Sequence, residues 1–563
     1  MKRVWIFFLP FVILGFVSCG SDNRQDADFI VKNAKVYTAD PSFTVLESFA
    51  VKDDKIIAVG TNVSIEATYS SDSILDMGDK VILPGLIDAH CHFLGYARGL
   101  QECNLVGTTS FGEVLSRVKE FAKTNKRSWI IGRGWDQNDW ENKVYPTKTM
   151  LDSLYPNTPV VLKRIDGHAA LVNSAAMKAA GITDSTQVTG GEILRQEVGT
   201  GRMSRGKEIM FQGPASGILI DNAVDLVERV IPPLNAELEK ASILQAQENC
   251  FAAGLTSLDD AGLMKEDVDM LTAMETSGDL KMRMYIMLSD SAPNYAYYLT
   301  KGPMKTPHIN VRSFKFYGDG ALGSRGAFLI SPYSDEPGHR GFMLRSEKHY
   351  KDKFTDLKQK GFQVCTHCIG DSANRFVLKL YGEILGGEND ARWRIEHAQV
   401  VDPSDRVYFK NYSIIPSVQP THATSDMYWA EKRLGSERMS GAYAYQTLLK
   451  ECGILALGTD FPVENINPMY TLYSAVTRMD QKGFPSGGFM PNECLSRKEA
   501  IWGMTAWAAY SNFEEKEKGC IAPGMFADFV VLNTDPMNCR VAEIPKIRVL
   551  ETWSGGKKVY SGK

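Results

Sequence analysis

Nine histidines occur among the 563 residues, and four of them, His90, His92, His367 and His397, stand at or just after apolar runs that read as β-strands. The first pair forms His90-Cys91-His92. Alternation along an extended chain sends both imidazoles to one side and Cys91 to the other. Imidazole is a good ligand for zinc and related divalent ions, and such sites need ligands converging from separate elements. An isolated histidine is more often a packed residue than a ligand, but four at strand ends favour ligation. Asp460, in Gly458-Thr459-Asp460, follows the apolar run 454–457. It is either a turn or cap acid, or a carboxylate that ligates a metal and exchanges a proton with water. Lys315 interrupts the apolar run 311–317, where a buried ammonium is costly unless paired or chemically modified.

These residues need elements that bring them together. Eight apolar runs, 81–87, 255–258, 282–288, 311–316, 362–366, 393–396, 413–417 and 454–458, are followed by helical patterns. Eight βα units predict a closed (β/α)8 barrel with its chemistry at the C-terminal strand ends; an open doubly wound sheet is the alternative. The long stretch 95–235 between the first two runs is too long for a structureless loop. Its own strand runs, 129–132 and 160–164, predict an inserted subdomain over the barrel mouth. Residues 29–83 and 511–563 hold short β-rich pieces between Asp, Asn and Gly turns. Neither is large enough for a core of its own, so they are expected to pair into one small β domain beside a barrel spanning 84–510.

The N-terminus has Lys2 and Arg3, an apolar run over 4–17, then Ser18-Cys19. That pattern is a signal peptide over 1–19 rather than a spanning helix. Phe16-Val17-Ser18-Cys19 looks like a bacterial lipobox, so Cys19 is the expected lipidation site and 20–28 a tether. The expectation is an exported bacterial lipoprotein, periplasmic or outer-membrane associated, with a plainly secreted protein as the alternative. A net charge of −4 without a long Lys/Arg run gives no electrostatic reason for a nucleic-acid partner. A small, roughly neutral ligand fits better. The cysteines beyond Cys19 are scattered and odd in number, which indicates no disulfide framework, and the Cys365/Cys368 pair lacks the second pair of a four-cysteine zinc site.

Particular motifs carry a resemblance. They are Pro84-Gly85-Leu86-Ile87-Asp88-Ala89-His90-Cys91-His92, Arg164-Ile165-Asp166-Gly167-His168, Gly190-Gly191-Glu192-Ile193 and Lys315-Phe316-Tyr317-Gly318-Asp319-Gly320. Further along come His367-Cys368-Ile369-Gly370-Asp371, Ile395-Glu396-His397-Ala398, Leu457-Gly458-Thr459-Asp460-Phe461-Pro462 and Pro523-Gly524-Met525-Phe526-Ala527-Asp528. In this order, over residues 30–562, the chain resembles the metal-dependent amidohydrolase superfamily, and within it amidohydrolase family 3, which includes N-substituted formamide deformylases.

The resemblance implies an α/β fold, a distorted TIM (β/α)8 barrel with a composite β-sandwich domain, to which the spacing adds a large insertion after barrel strand one. It also implies two divalent metal ions, zinc being the first choice. His90, His92 and Asp460 would hold the more buried ion, and His367 and His397 the more exposed one. Lys315 would bridge them as a carbamate made with carbon dioxide, and the bridging water or hydroxide would be the nucleophile. Asp460 would move the proton, and Lys315 and Asp460 are thus the catalytic candidates. Asp166 and His168 are placed near the pocket by the same resemblance. Trp135 is a candidate aromatic wall, Arg325 a carboxylate receiver, and Asp319, Ser417 and Gln419 candidates by position; Asp166 and Asp319 read equally as turn formers and Trp135 as packing. The expected reaction is hydrolysis of a small-molecule amide, such as a formamide, N-acyl amine or cyclic amide. An ester, carbamate or ring C–N bond cleaved at the same site, and an inactive substrate-binding lipoprotein, are the competing readings.

Overall fold

The computed structural model describes residues 24–165, 169–188, 191–204 and 207–562. Cys19, Asp166 and His168 lie outside the described residues. At the centre is a sheet of parallel strands, β1 (Leu86–Cys91), β2 (Leu255–Leu263), β3 (Arg283–Ser289), β4 (Ile309–Tyr317), β5 (Gln363–His367), β6 (Arg394–Glu396), β7 (Ile415–Val418) and β8 (Ala456–Leu457), hydrogen-bonded in that order. The sheet closes at its mouth. Asp460 N–H donates to the His90 carbonyl at 2.7 Å, and His92 N–H donates to the Phe461 carbonyl at 2.8 Å. Gly458 permits this seam, because a Cβ there would lie 2.5 Å from His90 N.

Alternation explains what faces inward. On β4, Phe314 and Phe316 join the apolar core, and on β6 so do Trp393, just before it, and Ile395. The residues between them, Lys315 on β4 and Arg394 and Glu396 on β6, therefore face the barrel axis, where all three are buried. The interior of this barrel is thus charged near its mouth.

The apolar run 81–87, read from sequence as one strand, is divided at Gly85. Val81–Pro84 pairs with Phe529–Leu532 and Lys35–Tyr37 in the terminal β domain, and β1 begins at Leu86. A Cβ at Gly85 would stand 2.2 Å from Thr256 Oγ1. Glycine lets the chain pass from one sheet to the other while remaining extended and buried, so hydrophobicity carries no mark of the change.

The terminal domain is composite. One sheet runs Lys55–Gly60, Ser48–Lys52, Phe29–Lys32, Ile74–Asp76. The other runs Lys557–Ser561, Val549–Ser554, Phe529–Leu532, Val81–Pro84, Lys35–Tyr37, Val45–Leu46, joining both ends of the chain. Phe49, Phe529 and Trp553 fill the core between them, with the Phe529 and Trp553 rings stacked at 5.2 Å. A buried ion pair, Arg283 Nε to Asp528 Oδ2 at 2.7 Å, ties this domain to the start of β3. The chain is already built in at Gln25–Asp26, which pairs with Tyr69–Ser70, so the stretch read as a tether is shorter than 20–28. Two hydrogen-bonded rungs suffice to remove those residues from it.

Between β1 and β2 the insertion forms its own sheet, ordered Cys103–Asn104, Ile130–Trp135, Val160–Arg164, Ala169–Val172, Lys207–Asp221, Gly191–Ser204. Separate apolar clusters, one around Trp129 and Val161 and one around Trp135 and Leu162, give it independent cores.

Candidate metal centre

The C-terminal ends of β1, β4, β5 and β6 and the loop after β8 bring the histidines, Lys315 and Asp460 together. The His90 ring lies 4.8 Å from that of His397, which lies 4.6 Å from that of His367. One ligand atom each from His90, His397 and Asp460 falls within 4.8 Å of the others. Cys91 points away, its Sγ donating to the Asp259 carbonyl at 3.4 Å.

Each imidazole is oriented by its outer nitrogen. His90 Nδ1 meets Glu396 Oε2 at 2.5 Å, His92 Nδ1 meets the Ala261 carbonyl at 3.0 Å, and His397 Nδ1 meets Gln419 Oε1 at 2.7 Å. Those acceptors require Nδ1–H, so in the neutral ring each Nε2 presents a lone pair to the centre. His92 Nε2 then faces Asp460 Oδ1 at 3.2 Å, and His90 Nε2 faces it at 3.7 Å. Lone pairs facing a carboxylate at this range repel unless a cation lies between them. Ligands of a tetrahedral zinc, at roughly 2.0 to 2.1 Å each, would stand about 3.4 Å apart, so the separations suit an ion. Asp460 Oδ1 and His367 Nε2 are buried and have no hydrogen-bond partner among the described residues.

The electrostatics agree with ligation. Burial, aided by Lys315, pushes His90 down to about 4 and His367 down to about 3, and burial with its neighbouring imidazoles holds His397 well below the ordinary histidine range. All three rings are therefore neutral, the form that binds metal. Burial also lowers Lys315, whose Nζ lies 2.9 Å from His90 Nε2.

Beneath the imidazoles lies a buried ionic layer. Arg394 donates from Nε to Glu396 Oε1 at 2.7 Å, from Nη1 to Asp259 Oδ2 at 2.8 Å and from Nη2 to Ser417 Oγ at 2.9 Å and to the Ala89 carbonyl. Burial would raise Glu396, but Arg394 and His90 hold it far below the usual carboxylate range. The layer fixes the Glu396 carboxylate that sets the His90 tautomer. Asp88 on β1 accepts from Thr459 N at 2.9 Å and Thr459 Oγ1 at 2.6 Å, tying the Asp460 loop to the strand that carries His90. His397 and Asp460 both adopt left-handed backbone, with φ of 70° and 62°. Non-glycine residues hold that conformation at a cost of about 1 to 3 kcal/mol, and such strain concentrates at functional sites.

Residues 73–560 match the Amidohydrolase family. The chain belongs to that family. Among relatives of this amidohydrolase, Protein LONG AFTER FAR-RED 3 of Arabidopsis thaliana is 30% identical over 95% of this chain and 92% of its own. The N-substituted formamide deformylase of Arthrobacter pascens is 24% identical over 95% of this chain and 99% of its own. An uncharacterized metal-dependent hydrolase from Pyrococcus furiosus superposes with a TM-score of 0.74 at 24% identity, covering 91% of this chain and 100% of that one, a likeness of fold.

The other candidates fare differently in this amidohydrolase. Gln419 touches the centre, through His397. Ser417 is fully buried against Arg394, beneath the imidazoles, so its hydroxyl supports the ionic layer rather than a substrate. Asp319 is the turn former: its carboxylate accepts from Ile369, Gly370 and Phe328 N–H at 2.9, 2.8 and 2.7 Å, leaving it 3.8 Å from His367 Nε2. Arg325 is committed to Asp335 at 3.0 Å and Glu336 at 3.2 Å, so it is not a free carboxylate receiver. Trp135 is interior to the insertion, 1% exposed, with Nε1 donating to the Leu162 carbonyl at 2.7 Å, and so serves packing. Sequence reasoning missed Glu396, Arg394 and Asp88, and it missed His422, whose ring stacks 5.7 Å from that of His397. Glu396 sits inside a quoted motif, and its charge in so apolar a run was an available signal.

Proposed function

We propose that this amidohydrolase hydrolyses a non-peptide amide C–N bond of a small molecule, a formamide, N-acyl amine or cyclic amide, to a carboxylate and an amine. The observation that carries the reading is the 3.2 Å approach of His92 Nε2 to Asp460 Oδ1, an oxygen buried without a hydrogen-bond partner among the described residues. His90, His92 and Asp460 would hold one divalent ion and His367 and His397 a second, zinc being the first choice, with Lys315 between them as its carbamate. Bound divalent ions supply an acidified water and polarise a carbonyl oxygen. Asp460 takes up the proton that is released and delivers it to the leaving nitrogen, a task suited to a carboxylate ionised in its resting state. Glu396 keeps His90 in the ligating tautomer, and Gln419 does the same for His397. The formamide deformylase relative supports the amide class and sets the first compounds to try.

The test is metal analysis together with a turnover screen of the purified enzyme, loaded with zinc, manganese or cobalt, on formamides, N-acyl amino acids, dipeptides, hydantoin-like rings and aryl esters. The expected result is two divalent ions per chain and turnover of a non-peptide amide. Turnover confined to esters, or ligand binding without any bound metal, would overturn the reading. We also propose that the chain is exported and anchored by lipid at Cys19, on the strength of the lipobox-like Phe16-Val17-Ser18-Cys19.

A further inference from the structure

His422 lies in the first turn of the short helix Pro420–Asp426 that follows β7, and the roles derived above leave it without a task. Its Nε2 is buried, has no hydrogen-bond partner among the described residues, and lies 3.6 Å from Asp460 Oδ2. The two oxygens of Asp460 thus face different groups: Oδ1 looks toward His90 and His92, and Oδ2 toward His422.

The helix that carries His422 is fastened on several sides. Tyr445 OH donates to the Gln419 carbonyl at 3.0 Å just before it. Thr424 Oγ1 meets Ser474 Oγ at 3.1 Å, on the helix Pro468–Thr477 that follows the Asp460 loop. At its end Asp426 accepts from Tyr443 OH at 2.8 Å and Gln399 Nε2 at 3.3 Å. A short helix held this way places the His422 ring by scaffold rather than by chance, which is how supporting residues fix a reacting group. A ring that merely packed would have no reason to turn a buried nitrogen toward an ionised carboxylate.

We propose that His422 is a positioning residue for Asp460, its Nε2–H facing Oδ2 across 3.6 Å and holding that oxygen by charge–dipole attraction so that Oδ1 stays aimed at the His90–His92 side of the centre. The role rests on the proton-transfer task given to Asp460 under the proposed function. His422 is distinct from the metal ligands, because its nitrogen approaches the oxygen turned away from His90 and His92. A substituent lacking a donor would leave Asp460 free to rotate about its side-chain bonds.

The experiment compares wild type, His422→Leu and His422→Gln, each reconstituted with cobalt, by metal content, visible absorption and steady-state kinetics on an amide found in the screen. Metal content should stay at the wild-type level in both variants. The cobalt bands should shift in His422→Leu, and its kcat should fall about 10- to 100-fold with KM changed less than about two-fold. His422→Gln, which still offers an N–H, should recover a substantial part of both signals. Wild-type bands and turnover in His422→Leu would overturn the proposal, as would loss of metal from both variants, which would make His422 a ligand. If the wild type turns over no amide, the spectra alone decide. Unshifted bands then overturn the positioning role, whereas shifted bands uphold it and only the amide reading falls.

Discussion

Lys315 Nζ and His90 Nε2 stand 2.9 Å apart inside the barrel, with His90 committed through Nδ1 to Glu396, so the lysine donates to the lone pair that a metal would otherwise take. Burial lowers the Lys315 pKa and so favours the free amine, the form that can combine with carbon dioxide.

The proposed carboxylation would convert that donor into an anionic two-oxygen ligand, and arginine could not follow it there. Lys315→Ala and Lys315→Arg should both lose the proposed two-metal centre and most turnover. Short carboxylic acids added with metal should restore some activity to the alanine variant alone. A carbon-13 resonance from labelled bicarbonate at the lysine nitrogen would be the direct sign. An active, metal-replete enzyme whose Lys315 amine lies more than about 4 Å from both ions would sink the bridging role, since oxygen ligation needs roughly 2.0 to 2.2 Å.

His90 falls to about 4 in the folded protein against about 6.5 when unfolded, so between those values the unfolded chain binds more protons and folding weakens as pH drops. Asp88 and Asp319, pushed up to about 7 by burial, act in the opposite sense, and the total slope mixes both. A difference isolates the histidine. In metal-free protein, the stability advantage of wild type over His90→Asn should shrink by an amount on the order of 3 kcal/mol as pH falls from 6.5 to 4. Urea denaturation at several pH values measures it, and a constant difference would refute the neutral-imidazole assignment.

Glu396 joins the imidazole layer to the ionic layer beneath. Glu396→Gln keeps the shape but weakens the hold on the His90 tautomer, and metal affinity should fall about 10- to 100-fold. Glu396→Ala also strips Arg394 of one of its two carboxylates, and should destabilise the fold by about 3 to 5 kcal/mol. Calorimetric metal titration and thermal melting separate these effects. Unchanged metal affinity in Glu396→Gln would mean that the contact does not tune His90.

The barrel and the candidate metal residues were legible because both are written in short patterns: an apolar run ending in His or Asp, repeated along the chain. Lys315 showed itself by being charged in such a run. What could not be read was partnership. Trp135, Ser417, Asp319 and Arg325 are residue types that suit a pocket, and only the fold reveals that Leu162, Arg394, a set of backbone amides and Asp335 have already claimed them. His422 escaped notice for the opposite reason. It stands on a helix among Thr421, Thr424, Ser425 and Asp426, a polar stretch that reads as solvated surface, and only the return of β8 beside β7 puts Asp460 against it.

For the proposed anchor, Cys19→Ser should leave the rates of the purified domain unchanged while blocking lipoprotein processing in cells. Mass spectrometry of the mature protein decides: an unmodified Cys19 still joined to residues 1–18 would count against lipidation.

The pairing of Gln25–Asp26 with Tyr69–Ser70 sets the length of the leash. With lipid on Cys19, only residues 20–24 separate the bilayer from folded protein, a reach of roughly 20 Å at full extension. The terminal β domain would then ride against the headgroups with the barrel held at a nearly fixed height above them. An enzyme anchored in that way would patrol a thin layer of solvent, and its encounters with substrate would be those of a surface rather than a volume.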